Sequence, residues 1–442
     1  MGGRHVRRVL AAVFLLLLLL PVVARAQEAV VFLPDVQIAA PSGFSNAYLS
    51  DLAVAGSEVR ATWVGQRTYG SYGWGYSVSH DGGRTFSSSP APGGAGQGST
   101  SARVATLPDG RFAYLWAEPG NGLLAAVEDA DGSFRWSSSL ATNETPYLDI
   151  GADETGVYTS WIDYVGGAGR LMIGELDPDS LRLTRYAVVA SGAYGFSSNV
   201  RVSVREGVLG IVWISVDYYA YTTAVMFSHA GTDLNASSPV SVSESGYWSG
   251  GFPRVAVGPG GIAFVMFAQP YANDPVGAWT ALPPDYDFEF FTGLEDAIGA
   301  SRIDDLAAEF DSQGRMLLVW VDGQHGLVES SVRFTRASSG LSQFLPLTRL
   351  DVDYTRSKGG LAVAANEEGR VYVAWSTWGA GSDSDVHVAR EVQALPPPEP
   401  ASVLLLSGVL GMGVVGAASV VFLLRRSRRK PRPEQPSDGT RA

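Results

Sequence analysis

One pattern returns seven times between residues 46 and 376: a turn containing glycine, then a short apolar strand that closes on a tryptophan or a phenylalanine. The turn glycines are Gly56, Gly110, Gly156, Gly207, Gly261, Gly314 and Gly369. The aromatics are Trp63, Trp116, Trp161, Trp213, Phe267, Trp320 and Trp375, at successive intervals of 53, 45, 52, 54, 53 and 55 residues. Core tryptophans scattered through an ordinary domain have no reason to keep such spacing, whereas internal repeats do. The length of 442 residues would otherwise suggest two or three domains; the repeat favours one repetitive body instead.

Inside each repeat the apolar residues alternate or run in short blocks, as in Val59-Ala61-Trp63, Phe112-Tyr114-Trp116, Ile211-Trp213 and Val371-Val373-Trp375, bounded by Gly, Pro, Asp and Ser. That is strand chemistry, and helical periodicity is sustained only in the two terminal segments. A unit of roughly 50 residues accommodates four strands with their turns, which is one propeller blade. The expected fold is therefore all-β: a propeller of seven four-stranded blades, rather than six or eight, with an N-terminal signal helix and one C-terminal transmembrane helix. In the first blade residues 50–54, 59–64 and 75–79 read as the inner three strands. In the seventh, residues 361–365, 371–375 and 386–391 do. Residues 29–33, β-branched and apolar, are expected to pair with the last blade and close the ring, hiding its edges.

The ends of the chain carry addresses. Residues 1–26 read as a secretory signal, with Arg4, Arg7 and Arg8 before an apolar run and Ala24-Arg25-Ala26 as cleavage site. Residues 27–394 form the ectodomain, and 395–400 a proline-rich linker. The uncharged stretch 401–424 is long enough to cross a membrane, and the basic tail 425–442 is retained on the cytoplasmic side. Cysteine is absent, so an exported body must be stable without cross-links. Between residues 27 and 424 there are 21 basic and 42 acidic residues, a charge of −21 that argues against nucleic acid as a partner.

Pro398-Glu399-Pro400-Ala401, an apolar stretch containing Gly408, Gly411, Gly413 and Gly416, and the cluster Arg425-Arg426-Ser427-Arg428-Arg429-Lys430 together resemble a PEP-CTERM sorting signal. The resemblance implies processing by an exosortase in a bacterial inner membrane and release to the cell surface or matrix. Residues 431–442 continue past the usual end of such signals. Permanent anchoring in the cell envelope as a single-pass type I membrane protein thus stays open.

Ser79-His80-Asp81-Gly82-Gly83-Arg84-Thr85-Phe86 matches the Asp-box, Ser-x-Asp-x-Gly-x-Thr-aromatic, and the chain resembles the sialidase-like, BNR-repeat propellers on this motif. The resemblance implies a structural role for Ser79, Asp81, Gly83, Thr85 and Phe86. Sialidases of that superfamily hold a substrate carboxylate with three arginines, the first on a Phe/Tyr-Arg-Ile-Pro motif near the start. Here Leu33-Pro34-Asp35-Val36 stands before the first blade, and the nearest look-alike is Phe252-Pro253-Arg254-Val255 in the fifth repeat.

Aligning the turn glycines places Arg103, Arg201 and Arg254 near the start of the innermost strands of the second, fourth and fifth repeats. Asp51, Asp149 and Asp305 stand near that level in the first, third and sixth. Such a ring either grips an anionic or polyhydroxylated ligand through guanidinium contacts or pairs internally and fills the channel, and internal pairing is the expectation. Aromatics between second and third strands, Trp74 and Tyr219 foremost, would suit a sugar ring or a protein surface. No catalytic set and no metal site is recognisable, because the histidines show no paired spacing. The acidic loops at Asp129-Ala130-Asp131-Gly132 and Asp383-Ser384-Asp385 could hold calcium, but neither has the full oxygen-ligand spacing, and solvated turns are the expectation. The sequence thus points to an exported propeller, without cofactor, that binds a glycan or an envelope protein. A sialidase-like hydrolase or lyase acting on a carboxylated sugar is the alternative.

Overall fold

The computed structural model describes residues 30–392 except 39–43, 68–69, 92–97, 142–146, 166–167, 193–195, 218–221, 244–250, 269–275, 282, 284, 291–302, 324–329, 338–343, 352–356 and 379–383. These residues form seven antiparallel sheets of four strands each. The innermost strands are Phe44–Ala55, Ala102–Thr106, Leu148–Asp153, Phe196–Arg205, Gly251–Val257, Ile303–Phe310 and Ser357–Ala365. Each is followed by its hairpin partner, and the seven recurrent aromatics all lie on these second strands. The turn glycines allow the hairpins to be tight: Gly110 and Gly369, for example, sit at φ 83° and 76°, a region that a side chain disfavours.

All seven aromatics are buried, and each faces the preceding blade. Trp63 packs with Ala362, Tyr372 and Val388 of blade 7, Trp116 with Ala53 and Trp74 of blade 1, and Trp320 with Phe264 and Met266 of blade 5. One apolar cluster therefore fills every seam between neighbouring blades, and the sequence period is the period of these plugs. Truncating one to alanine would cost about 3–5 kcal/mol.

The ring closes in part as the sequence leads one to expect. Of residues 29–33, Val31, Phe32 and Leu33 do pair with the end of blade 7, but the regular closing strand is Val36–Ile38, antiparallel with Val386–Val388 as the outermost strand of that blade. Of the expected segment, Phe32 makes an isolated bridge to Glu391, and Val30 joins the core between blades 6 and 7. Leu33 N donates to Arg390 O at 2.9 Å, Val392 N donates to Val31 O at 2.8 Å, and the Phe32 ring meets Phe334 edge-on, so pairing and burial together fix this stretch. The expected strands of blades 1 and 7 run longer than their apolar blocks, because ladder bonds extend past the buried face: Glu58–Arg67 and Tyr72–Ser79 in the first, Val371–Trp378 in the last.

The fold class needs one more correction. Among the described residues the only helical element is a short 3-10 turn at Pro259–Gly261, and no helix is long and apolar enough to cross a membrane. The described body is all-β. The expected signal helix and transmembrane helix, residues 1–26 and 401–424, lie outside the described residues.

Candidate functional site

The innermost strands leave a central cavity of about 380 Å³, lined by Asp51, Arg103, Asp149, Arg201, Arg254 and Glu309 among others. Five of the six charged residues singled out by register line it. Asp305 does not, but it lies behind Arg254, with its Oδ1 3.4 Å from Arg254 Nη2.

The carboxylates are spoken for by the backbone. Asp51 accepts from Leu52 N at 2.9 Å and, across the blade gap, from Val104 N at 3.1 Å. Asp149 accepts from Val202 N at 2.8 Å, and Asp305 from Leu306 N at 2.8 Å and Leu361 N at 3.1 Å. Innermost strands of adjacent blades are not paired with each other, so their facing amides need acceptors. An aspartate at this level meets that need and ties blades 1 to 2, 3 to 4 and 6 to 7. Where blade 4 meets blade 5 the same task falls to Ser203 Oγ, which accepts from Val257 N at 3.0 Å.

The guanidinium groups are held more loosely. Arg103 donates to Ser50 O and to Leu148 O and stands 3.5 Å from Asp149 Oδ1. The Asp149 contact of Arg201 is 3.8 Å, and this ion pair is the one polar contact of its side chain among the described residues. The three arginine side chains are between 11% and 14% exposed. Burial, followed by repulsion from Arg201, pushes Arg103 down to about 10 and Arg254 to about 9. Guanidinium stays charged at neutral pH regardless; the depression reflects the burial of these cations first and their closeness to one another second. Internal pairing is thus incomplete: each aspartate accepts from at least one backbone amide, while the guanidinium contacts stay at 3.4–3.8 Å.

Further down the channel lies a group the sequence reading missed. Burial, with the Asp51 and Asp311 charges adding to it, pushes the Glu309 carboxyl up to about 8. Burial likewise raises Asp51 to about 6. Arg205 reaches past blade 5 to donate to Asp311 O at 2.8 Å and Ser312 O at 3.4 Å. An acidic residue inside the apolar stretch Leu306-Ala307-Ala308-Glu309-Phe310 was the available signal, since the inner strand alternates toward the channel.

Trp74 is not a ligand platform. It is fully buried on the third strand of blade 1 and packs against Tyr114 and Trp116 of blade 2, 6.0 Å and 5.2 Å between ring centroids. The pleat sends Trp74 and Tyr76 into the seam, where a connecting loop would have shown them to solvent. Tyr219 lies outside the described residues, as does Asp383. Asp129 of the other acidic loop is held by Arg111 and by both donors of Arg135, so guanidinium nitrogens take the place a cation would need. In the turn after the third strand of blade 1, Ser79 Oγ, Arg84 N, Thr85 N and Thr85 Oγ1 all donate to Asp81, and Gly83 N donates to Ser79 Oγ. These bonds hold the Asp81 carboxyl well below the usual range, and they close the turn on itself.

No protein-family model and no curated protein matches the chain. Solved structures do match. The polysaccharide lyase Uly1 superposes with a TM-score of 0.56 at 9% identity, over 81% of this chain and 99% of that one. A protein of unknown function from Dyadobacter fermentans gives 0.53 at 12% identity, over 82% and 99%. This chain is a β-propeller. At such identities the likeness is one of fold alone, and what the propeller does has to be argued from its own channel.

Proposed function

We propose that the propeller is an exported, non-enzymatic binding protein that takes a carboxylated glycan, or an envelope component bearing one, at the channel mouth marked by Arg103, Arg201 and Arg254. The observation that carries this reading is the mismatch in the channel, where each aspartate is satisfied by backbone amides while Arg201 keeps unused donors beside the cavity. A ligand carboxylate would take up those donors in the paired geometry that guanidinium favours, and hydroxyls would replace cavity water. Export and anchoring, or surface sorting, follow from the terminal segments of the sequence. The Asp-box at Ser79–Phe86 supports descent from sialidase-like propellers.

A second reading, a hydrolase or lyase, draws on the polysaccharide lyase Uly1, which shares the fold. It also draws on Glu309, a carboxyl that keeps its proton near neutrality as a general acid must. Against it, no tyrosine or histidine is found among the described residues that line the cavity. The test is calorimetric titration of the full-length chain with uronate-containing and neutral oligosaccharides, run beside an assay of turnover. Arg201→Ala and Arg254→Ala should each weaken uronate binding by about 10- to 100-fold, the loss of a charged hydrogen bond. Equal affinity for neutral and acidic sugars would sink the proposal, and turnover abolished by Glu309→Gln would replace it with the second reading.

A further inference from the structure

The seam between blades 1 and 2 shows how this protein accommodates an oxyanion. Arg60 Nε and Nη2 donate to the two oxygens of Glu128 at 2.9 Å and 2.8 Å, and the Tyr114 hydroxyl adds a third bond at 2.6 Å. A guanidinium and a phenol thus converge on one carboxylate, and all three groups are buried.

The seam between blades 7 and 1 has the donors without the carboxylate. Tyr372 is fully buried, and its hydroxyl has no partner among the described residues. Arg390 lies opposite it in register and donates through Nη1 to Gly82 O at 2.9 Å. Arg370 Nε is buried and also without a partner, and its Nη2 is 3.5 Å from Glu368 Oε2. Exposed Arg84, two residues after Gly82, is near enough for its charge to act on Arg390.

Gly82 and Gly83, both with positive φ, bring the backbone of blade 1 against these groups. A Cβ on Gly82 would lie 3.3 Å from Arg390 Nη1, 3.5 Å from the Tyr372 hydroxyl and 3.9 Å from Arg370 Nη1, so three donors crowd one face of the turn. Asp81, adjacent to Gly82, has both carboxylate oxygens committed inside its own turn. Burial, then the Arg84 and Arg370 charges, push Arg390 below its usual range, although Asp81 attracts it in the opposite sense. This gathering stands out on a body whose charge is −21 between residues 27 and 424.

We propose that the seam between blades 7 and 1 is a binding site for a tetrahedral oxyanion, sulfate or phosphate, held by Arg84, Arg370, Arg390 and the Tyr372 hydroxyl. The anion takes the place that Glu128 holds one seam further on, and it is distinct from any ligand of the central channel. Because blade 7 carries the closing strand, occupancy also ties the two ends of the ring together.

The test uses the full-length chain at fixed ionic strength, comparing sodium sulfate and sodium phosphate with sodium chloride by thermal unfolding and titration calorimetry. At tenfold excess over Kd the anion should raise the Tm by about 2 °C relative to chloride. Arg370→Gln and Arg84→Gln should each weaken binding about tenfold. Tyr372→Phe removes a hydroxyl without a partner among the described residues, so it should leave the Tm in chloride unchanged or higher while reducing the increment given by sulfate. Arg390→Gln is unsuitable, because it also breaks the bond to Gly82. Dextran sulfate against dextran then separates the sources. Binding of the polymer that is lost in the same variants puts the group on a polysaccharide; binding of the inorganic ion alone makes it a free ion. An increment that is absent, or that survives Arg370→Gln and Tyr372→Phe intact, overturns the site.

Discussion

Arginine meets carboxylate in two parts of this propeller, and the two meetings differ. In two seams, between blades 1 and 2 and between blades 6 and 7, the pairs are short and enclosed: Arg60 with Glu128 at 2.8 Å and Arg336 with Glu391 at 2.7 Å, every side chain at most 6% exposed. In the channel the contacts are 3.4–3.8 Å and the carboxylates face backbone amides instead. The same residue types therefore do two jobs. Arg60 and Arg336 close gaps between blades, and the channel arginines keep donors in reserve beside a cavity.

Breaking a seam pair should have the largest consequence. Arg60→Met fills a similar volume but leaves Glu128 buried with only the Tyr114 hydroxyl, and orphaning one member of a buried pair costs about 3–5 kcal/mol. Urea unfolding of the variant should show that loss. A change below about 1 kcal/mol would mean that the seam pair is as loosely coupled as the channel contacts, and the distinction would fail.

The channel should show the opposite sign at one position. Glu309 ionises near its ordinary value in the unfolded chain but only near about 8 in the folded one. Between those values the folded state holds the extra proton, so this group's contribution to stability falls as pH rises through that window and levels off above it. Glu309→Gln removes the titration. The variant should match wild type near pH 4 and exceed it at pH 9 by on the order of 3 kcal/mol, read from urea midpoints at both pH values. Parallel pH profiles for the two proteins would show that the channel imposes no such cost.

The repeat was legible because its period is physical: each indole or phenyl ring plugs one seam, and seven similar seams impose one spacing. Asp51, Asp149 and Asp305 were legible as a ring for the same reason, though their bonds to backbone amides were not, since a facing strand lies some 53 residues away. The seam pairs were hidden by distance too. Arg60 and Glu128 are 68 residues apart, and the one local sign was an arginine between Val59 and Ala61 in an otherwise apolar block. Trp74 was misjudged because an aromatic-rich stretch from Tyr69 to Tyr76 looks like a decorated loop, although Trp74 and Tyr76 already kept the two-residue period of a strand. The closing segment was legible at Val31–Leu33, which pair with blade 7, but its regular strand at Val36-Gln37-Ile38 was missed because that stretch is less strand-like in composition. Pairing is decided by which backbone reaches the free edge of blade 7.

Arg201 offers the smallest effect on stability and the sharpest separation of the two regions. Its single ion pair, at 3.8 Å, is too long to contribute much, and its charge lies beside those of Arg103 and Arg254, both of which it depresses. Arg201→Ala removes that repulsion, and Asp149 keeps its bond from Val202 N. The two changes nearly offset, so stability should move by no more than about 0.5 kcal/mol, as for a substitution that disturbs no enclosed network. Thermal unfolding checks this directly. A loss of several kcal/mol would place Arg201 with the seam arginines, as mortar between blades; an unchanged fold together with weakened uronate binding would leave it one role, that of a cation kept for a ligand.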